Sequence, residues 1–215
     1  MRRRLAVFAV VALLAAAGAG GCQWLIPWAV ADRHPKETVK AEYNLEAERL
    51  VIVPYAGIEI LFNDRMAPLE VSKDIVNQIG LHLKSHVKTI VHPIAVDQWQ
   101  ESTLEWPNMA LPDIAKAFQA DTLLYVELER YTMVEERSAS LFRGRVRARV
   151  QVVKADAPRN PVYETTVETV FPEDQPVGVI GTSERVIRAH TNLAFAEAVV
   201  RKFYQYQVEI KGGRQ

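Results

Sequence analysis

The sequence predicts an α/β (α+β) fold: one domain with a mixed sheet of about five strands, packed by helices in the order β-α-β-α-α-β-β-β-α. Three observations predict it. Leu50-Val51-Ile52-Val53 is a continuous apolar run rich in β-branched residues, as expected of a strand buried on both faces. Two stretches, 70–85 and 183–206, repeat apolar residues at three- and four-residue steps, as helices with one buried side do. Between them, three stretches alternate apolar and polar residues, the pattern of half-buried strands.

Taken in order, the chain opens with a positive head, Arg2-Arg3-Arg4, followed by an apolar run over 5–17 and the small residues Ala19-Gly20-Gly21 before Cys22. That order is the grammar of a secretion signal. It resembles the bacterial lipoprotein signal, in which small residues precede a cysteine that is cleaved, acylated and made the mature N-terminus. Gly20, Gly21 and Cys22 fit that pattern, whereas Ala19 stands where the family most often has Leu. The apolar run is shorter than the roughly 20 residues a helix needs to cross the hydrocarbon layer. Acyl chains on Cys22 would instead hold the protein at a membrane, at about 0.8 kcal/mol per buried methylene. Ordinary secretion, with cleavage after Ala17-Gly18-Ala19, is the alternative.

Cys22 is the only cysteine, so no intramolecular disulfide can form and the fold must be held by its core. Without residues 1–21 the chain has 23 basic and 26 acidic residues, a balance of −3 that gives no reason to expect nucleic-acid binding. Trp24 and Trp28 follow the cysteine closely. They suit the boundary between headgroups and hydrocarbon, or else they pack on the folded domain. Gln23 stands where Asp marks inner-membrane retention in lipoproteins of enterobacterial type, so that resemblance implies the outer membrane, facing the periplasm. The polar stretch that follows, broken by His34-Pro35, reads as a tether. The chain therefore divides into a signal over 1–21, a lipidated N-terminus and tether over 22–48, the α/β domain over 49–208 and a polar tail over 209–215.

Within the domain, Arg49 and Pro54 flank the first apolar run, and 55–67 reads as a loop. A helix over 70–85 follows, with Val71, Ile75, Ile79 and Leu83 on one stripe. Thr89-Ile90-Val91-His92 is a second short strand stopped by Pro93, completing a βαβ unit. A short helix over 96–102, a loop over 103–110 and a helix opened by Leu111-Pro112, with Ile114, Ala117 and Phe118 following at helical spacing, lead to the three alternating strands.

Those strands span 122–135, 141–153 and 162–171. In the middle one Phe142, Gly144, Val146, Ala148, Val150 and Val152 alternate with Arg143, Arg145, Arg147, Arg149 and Gln151. In the first, Leu124, Val126 and Leu128 alternate with Tyr125, Glu127 and Glu129; in the third, Tyr163, Val167 and Phe171 alternate with Glu164, Thr166 and Glu168. An antiparallel arrangement sets an arginine row between glutamate rows, each good pair contributing roughly 0.2–1 kcal/mol. The four arginines are a candidate site for phosphate, acidic headgroups or an acidic partner. The neighbouring glutamates give them a structural use instead, as a mutually neutralised surface.

The last helix is expected over 183–206, capped by Thr182 or Ser183, with Val186, Ala189, Leu193, Ala196, Val200, Phe203 and Tyr204 on its apolar side. Gly178-Val179-Ile180-Gly181-Thr182-Ser183 reads as a turn and cap, or as an anion nest that lacks the lysine of a phosphate-binding loop. His82 and His86, four apart with no glutamate as base, read as a surface pair at a helix end sooner than as zinc ligands. No Gly-x-Ser-x-Gly elbow occurs and no cysteine is left as nucleophile. No enzyme activity, cofactor or metal is therefore expected.

The element order, the 50–54 strand, the run over 115–124 and the long hairpin together resemble a periplasmic lipoprotein domain. Its relatives include the TolB amino-terminal domain, the penicillin-binding-protein activator lipoproteins and the curli-secretion lipoprotein. That resemblance implies a non-catalytic module that binds an envelope protein, and it transfers no binding residue. The expectation is thus a lipid-anchored interaction or assembly module, with a binder of a small anionic ligand or lipid headgroup as the alternative.

Overall fold

The computed structural model describes residues 36–138, 140–157, 161–175 and 178–209. The lipid-anchor residues Gly21 and Cys22, together with Trp24 and Trp28, lie outside them. The chain runs β1 (Lys36–Val39), β2 (Ala47–Ala56), α1 (Ile58–Asn63), α2 (Ala67–His82), β3 (Val87–Ile90), α3 (Pro93–Ser102), a 3-10 turn (Trp106–Asn108), α4 (Leu111–Ala117), β4 (Thr122–Val134), β5 (Phe142–Lys154), β6 (Tyr163–Phe171), α5 (Glu184–Val200), a second 3-10 turn (Arg201–Phe203) and β7 (Tyr206–Glu209). The described residues divide into two units, Lys40–Tyr206 and a terminal one to which 36–39 and 207–209 belong. In the terminal unit β1 pairs with β7 as a two-stranded sheet. No helix among the described residues is long and apolar enough to cross a membrane.

In the larger unit the sheet order is β3-β2-β4-β5-β6. β3, β2 and β4 run parallel, and β5 and β6 extend the sheet antiparallel, so it is mixed as predicted. β2 lies inside the parallel part with helices on both faces, and Leu50, Val51, Ile52 and Val53 are all buried. Each such side chain contributes about 1.5–3 kcal/mol by leaving water.

One face packs on α2 and α5: Leu50, Ile52, Leu124, Val126, Val146, Ala148 and Val150 meet Val71, Ile75, Ile79, Phe195 and Val199. The other face packs on α3 and α4, through Val51, Val53, Leu123 and Val153 against Val96, Trp106, Ile114 and Ala115. These helices cover one end of that face. Further along β4 and β5 the same face turns from apolar to charged.

Local chemistry explains the helix starts. Proline lies in the first turn of α2, α3 and α4, where its missing N–H has no partner to lose. The His92 side chain accepts the Ile94 N–H at 3.3 Å, and Ser183 Oγ accepts the Val186 N–H at 3.4 Å, each as an N-cap. The α2 stripe Val71, Ile75, Ile79 with Leu83 is buried as expected.

Four expectations need correction. The stretch read as a loop over 55–67 contains α1, which has no buried residue and leaves Ile58 and Phe62 exposed, so its sequence lacks the period that marks a packed helix. The helix expected over 183–206 ends at Val200; a 3-10 turn and β7 follow. Its buried side is Ile187, Thr191, Asn192, Phe195, Ala196, Val199 and Val200, while Val186, Ala189 and Leu193 face outward. Polar Thr191 and Asn192 on the inner side disguised the true stripe. Finally, the tether expected over 22–48 is packed at its end: Leu45 and Ala47 are buried, and the Lys202 carbonyl accepts the Glu42 and Tyr43 N–H groups.

Candidate functional site

The part of the sheet face beyond α3 and α4 carries the charged residues of β4, β5 and β6. Cross-strand register sets Glu127 opposite Arg149, Arg147 opposite Glu168 and Gln151 opposite Glu164. Arg147 Nε lies 3.0 Å from Glu129 Oε2 and its Nη1 3.7 Å from Glu168 Oε2. Arg149 reaches Glu127 at 3.8 Å and Glu129 at 3.6 Å. Gln151 Nε2 donates to Glu164 at 2.5 Å. The Arg147 and Arg149 side chains are about half exposed, at 50% and 45%, so these pairs meet water as they meet each other.

The other two arginines part from the row. Arg145 Nη2 lies 2.6 Å from Glu135 Oε1, and Arg143 Nη1 lies 3.7 Å from the same carboxylate, all three side chains being 16% exposed or less. The hydrogen bond from Arg145 holds the Glu135 carboxyl below its ordinary range. Glu135 was missed in the sequence because it sits just past the end of β4, where alternation stops. Its N–H donates to the Leu141 carbonyl and closes the hairpin.

Arg145, Arg147 and Arg149 each hold a carboxylate. What this surface offers is an alternating mosaic of both signs, suited to another charged mosaic sooner than to a single anion.

A second polar constellation lies on the opposite layer and was not legible as a site. Arg188, on α5, pairs with Asp64 beyond α1, with Glu184 at 2.6 Å and with Glu70 of α2 at 3.9 Å. Asn192, one helical turn on, donates to Glu70 at 3.4 Å and accepts the Tyr131 hydroxyl at 3.0 Å. Burial raises the Glu70 and Asp74 carboxyls and the Tyr131 hydroxyl above their ordinary values, and lowers Arg188. The one local sign in the sequence was Glu184 four residues before Arg188, a spacing that pairs on any helix.

Other candidates resolve into structure. His82 ends α2 and stacks on Tyr204 with ring centroids 4.5 Å apart, while His86 lies beyond the turn against Ser85 Oγ, so the two do not share a helix side. Among the described residues no group of three or more His, Cys, Asp or Glu side chains is placed to hold a metal ion. Gly181 takes the left-handed backbone at φ +80°, Val179 bridges Phe142, and Ser183 caps α5. Asp121 accepts the Arg49 N–H at 2.6 Å and the Thr122 hydroxyl at 2.8 Å; burial pushes its carboxyl up, but these hydrogen bonds outweigh it and hold it low.

No protein-family profile matches the chain, and no curated protein matches it. Solved structures do. The PelC dodecamer from Paraburkholderia phytofirmans is 10% identical, with a TM-score of 0.46 over 79% of this chain and 98% of that one. Lipoprotein GNA1162 from Neisseria meningitidis is 8% identical, with a TM-score of 0.45 over 68% of this chain and 94% of that one. At these identities and TM-scores the likeness assigns this chain no function.

Proposed function

We propose that this chain is a membrane-anchored lipoprotein of the bacterial envelope, held by Cys22 in the outer membrane, whose α/β domain is a non-catalytic interaction module facing the periplasm. The observation that carries the reading is the half-covered sheet. Helices close one face and part of the other, and the remainder is a mosaic of half-exposed Arg147, Arg149 and Glu168 with the less exposed Glu127 and Glu129, beside an edge strand. Complementary mosaics steer encounter and fix register between partners. The order Arg2-Arg3-Arg4, apolar run, Gly20-Gly21-Cys22 supports the anchor. The alternative, a site for a small anion or lipid headgroup, has no observation in its favour, because Arg145, Arg147 and Arg149 already hold carboxylates.

The test is cross-linked co-purification of the full chain from solubilised membranes, beside Cys22→Ala and the charge reversal Arg147→Glu with Arg149→Glu. An envelope protein recovered with the anchored form and reduced about tenfold by the reversal is the expected result. Recovery unchanged by a reversal that leaves the melting temperature intact removes the face from the interface.

A further inference from the structure

β6 is the last strand of the sheet, and among the described residues no strand pairs with its outer side. An edge strand leaves the N–H and C=O of every second residue open to another chain, and proteins ordinarily blunt such edges with Lys, Pro, bulges or short strands. β6 has none of these; its charges are Glu164 and Glu168, and its first residue is engaged from elsewhere in the chain, the Tyr163 hydroxyl donating to Glu42 and its ring stacking on Tyr43. It is nine residues long, contains neither Lys nor Pro, and pairs with β5 without a register shift, whereas the β4–β5 ladder has two. Its charge is one-sided: residues 161–175 carry Glu164, Glu168, Glu173 and Asp174 and no Lys, Arg or His.

We propose that the outer edge of β6 is a strand-addition site for an extended basic segment of the envelope partner, an inference that rests on the interaction-module reading above. Main-chain hydrogen bonds along an open edge supply affinity, and alternate side chains supply specificity. On the charged face the added strand meets Glu164, Thr166 and Glu168, so it carries basic residues four apart with a small polar residue between. On the other face it meets Thr165, Val167 and Thr169 and carries β-branched apolar residues. A second copy of β6 is a poor occupant. Antiparallel pairing centred on Thr166 sets Glu164 against Glu168 twice, and like charges directly opposite are destabilising.

The experiment uses the full chain in detergent micelles and two labelled nine-residue peptides in which Val alternates with Lys and Thr, or with Glu and Thr. Affinity is read by fluorescence anisotropy and location by amide hydrogen exchange. The expected result is binding of the Lys peptide, slowed exchange within 163–171, and a loss of about tenfold or more in the exposed-site variant E164K/E168K, with E164Q/E168Q between the two. Equal binding of both peptides, protection confined to other strands, or a concentration-dependent dimer through β6 overturns it. If neither peptide binds but partner recovery still depends on Arg147 and Arg149, the edge site fails and the interaction-module reading stands. Recovery indifferent to both the arginine and the glutamate variants sinks both.

Discussion

Arg130 and Arg147 stand directly opposite each other in the β4–β5 ladder, like charge against like charge, at the point where Glu129 enters β4 as an extra residue. The bulge shifts the alternation by one residue, so the same core is met by even-numbered side chains before it and odd-numbered ones after it. Before it the buried positions of β4 are Leu124, Val126 and Leu128; after it they are Tyr131 and Met133. The displaced Glu129 carboxylate lies within 3.0 Å of Arg147 and 3.6 Å of Arg149, while Arg130 turns away to Glu136. One inserted acid thus separates three cations that regular pairing would crowd.

Glu129→Gln is therefore expected to destabilise the domain by about 1 kcal/mol at low salt, at the upper end for exposed pairs because the carboxylate serves two arginines. Raising the salt screens the arginines from one another, so the difference shrinks. Urea unfolding at two ionic strengths measures it. A loss that is independent of salt would mean that the bulge, and not the charge, is what Glu129 provides.

Gly144 lies on the inner face of β5 beneath α5, where a Cβ built on it would lie 1.8 Å from Thr191 Oγ1 and 2.7 Å from Thr191 Cβ. Thr191 is itself fixed, its hydroxyl donating to the Ile187 carbonyl at 2.6 Å. Gly144→Ala is expected to cost about 1–3 kcal/mol by pushing helix from sheet. Adding Thr191→Ala relieves the clash with the hydroxyl but not with Cβ, so the double variant recovers part of the loss. Thermal melts of the three proteins decide it, and a neutral Gly144→Ala would refute the close approach.

Much of this fold was legible because its signals are local. Val146, Ala148, Val150 and Val152 alternate with arginines in a way only a half-covered strand tolerates, and residues 50–53 are apolar because both faces of β2 are roofed. What was not legible depends on distant partners. Thr191 and Asn192 lie on the buried side of α5 because Gly144 and Tyr131 make room and hydrogen bonds for them, and no helical period records that. Arg188 reads as a surface residue until α1 brings Asp64 against it. Within the charged face the same divide holds. Arg147 and Arg149 have the cross-strand glutamates that alternation implies, whereas Arg145 is claimed by Glu135 through the geometry of the hairpin end.

Asp74 gives a pH dependence whose sign follows from burial. It lines a cleft with Glu70, Lys73, Arg185, Arg188 and Asn192, and desolvation raises its carboxyl above the ordinary aspartate value. The native state then holds the proton more tightly than the unfolded chain. Above the native value, ionised Asp74 costs stability; below the unfolded value of about 3.9 both states are protonated and the cost is gone. Asp74→Asn is expected to stabilise at pH 7 by about 0.5 kcal/mol, with the gain shrinking as the pH falls. A gain constant from pH 7 to pH 4 would assign the effect to packing.

Arg188 makes the strongest demand on stability. Its guanidinium holds Asp64, Glu70 and Glu184, with only 11% of the Asp64 side chain exposed. Arg188→Met leaves the little-hydrated Asp64 carboxylate crowded by the more exposed Glu70 and Glu184, at an expected cost of about 2–4 kcal/mol, somewhat below that of breaking a fully buried pair. Asp64→Asn and Glu70→Gln added to it should return most of that loss, because neither of these former partners then keeps a charge that Arg188 had balanced. Burial already raises the Glu70 carboxyl, and loss of the Arg188 cation raises it further, so that part of the deficit is full at neutral pH and fades as the pH falls through the native value of Glu70 toward that of the unfolded chain. Denaturant unfolding at pH 7 and pH 4.5 reads both effects. The network lies on the α2–α5 side of the sheet and the arginine row on the other, so partner recovery by the folded Arg188→Met protein should match the parent. Weakened recovery at equal folded fraction would place the interface on the α2–α5 side.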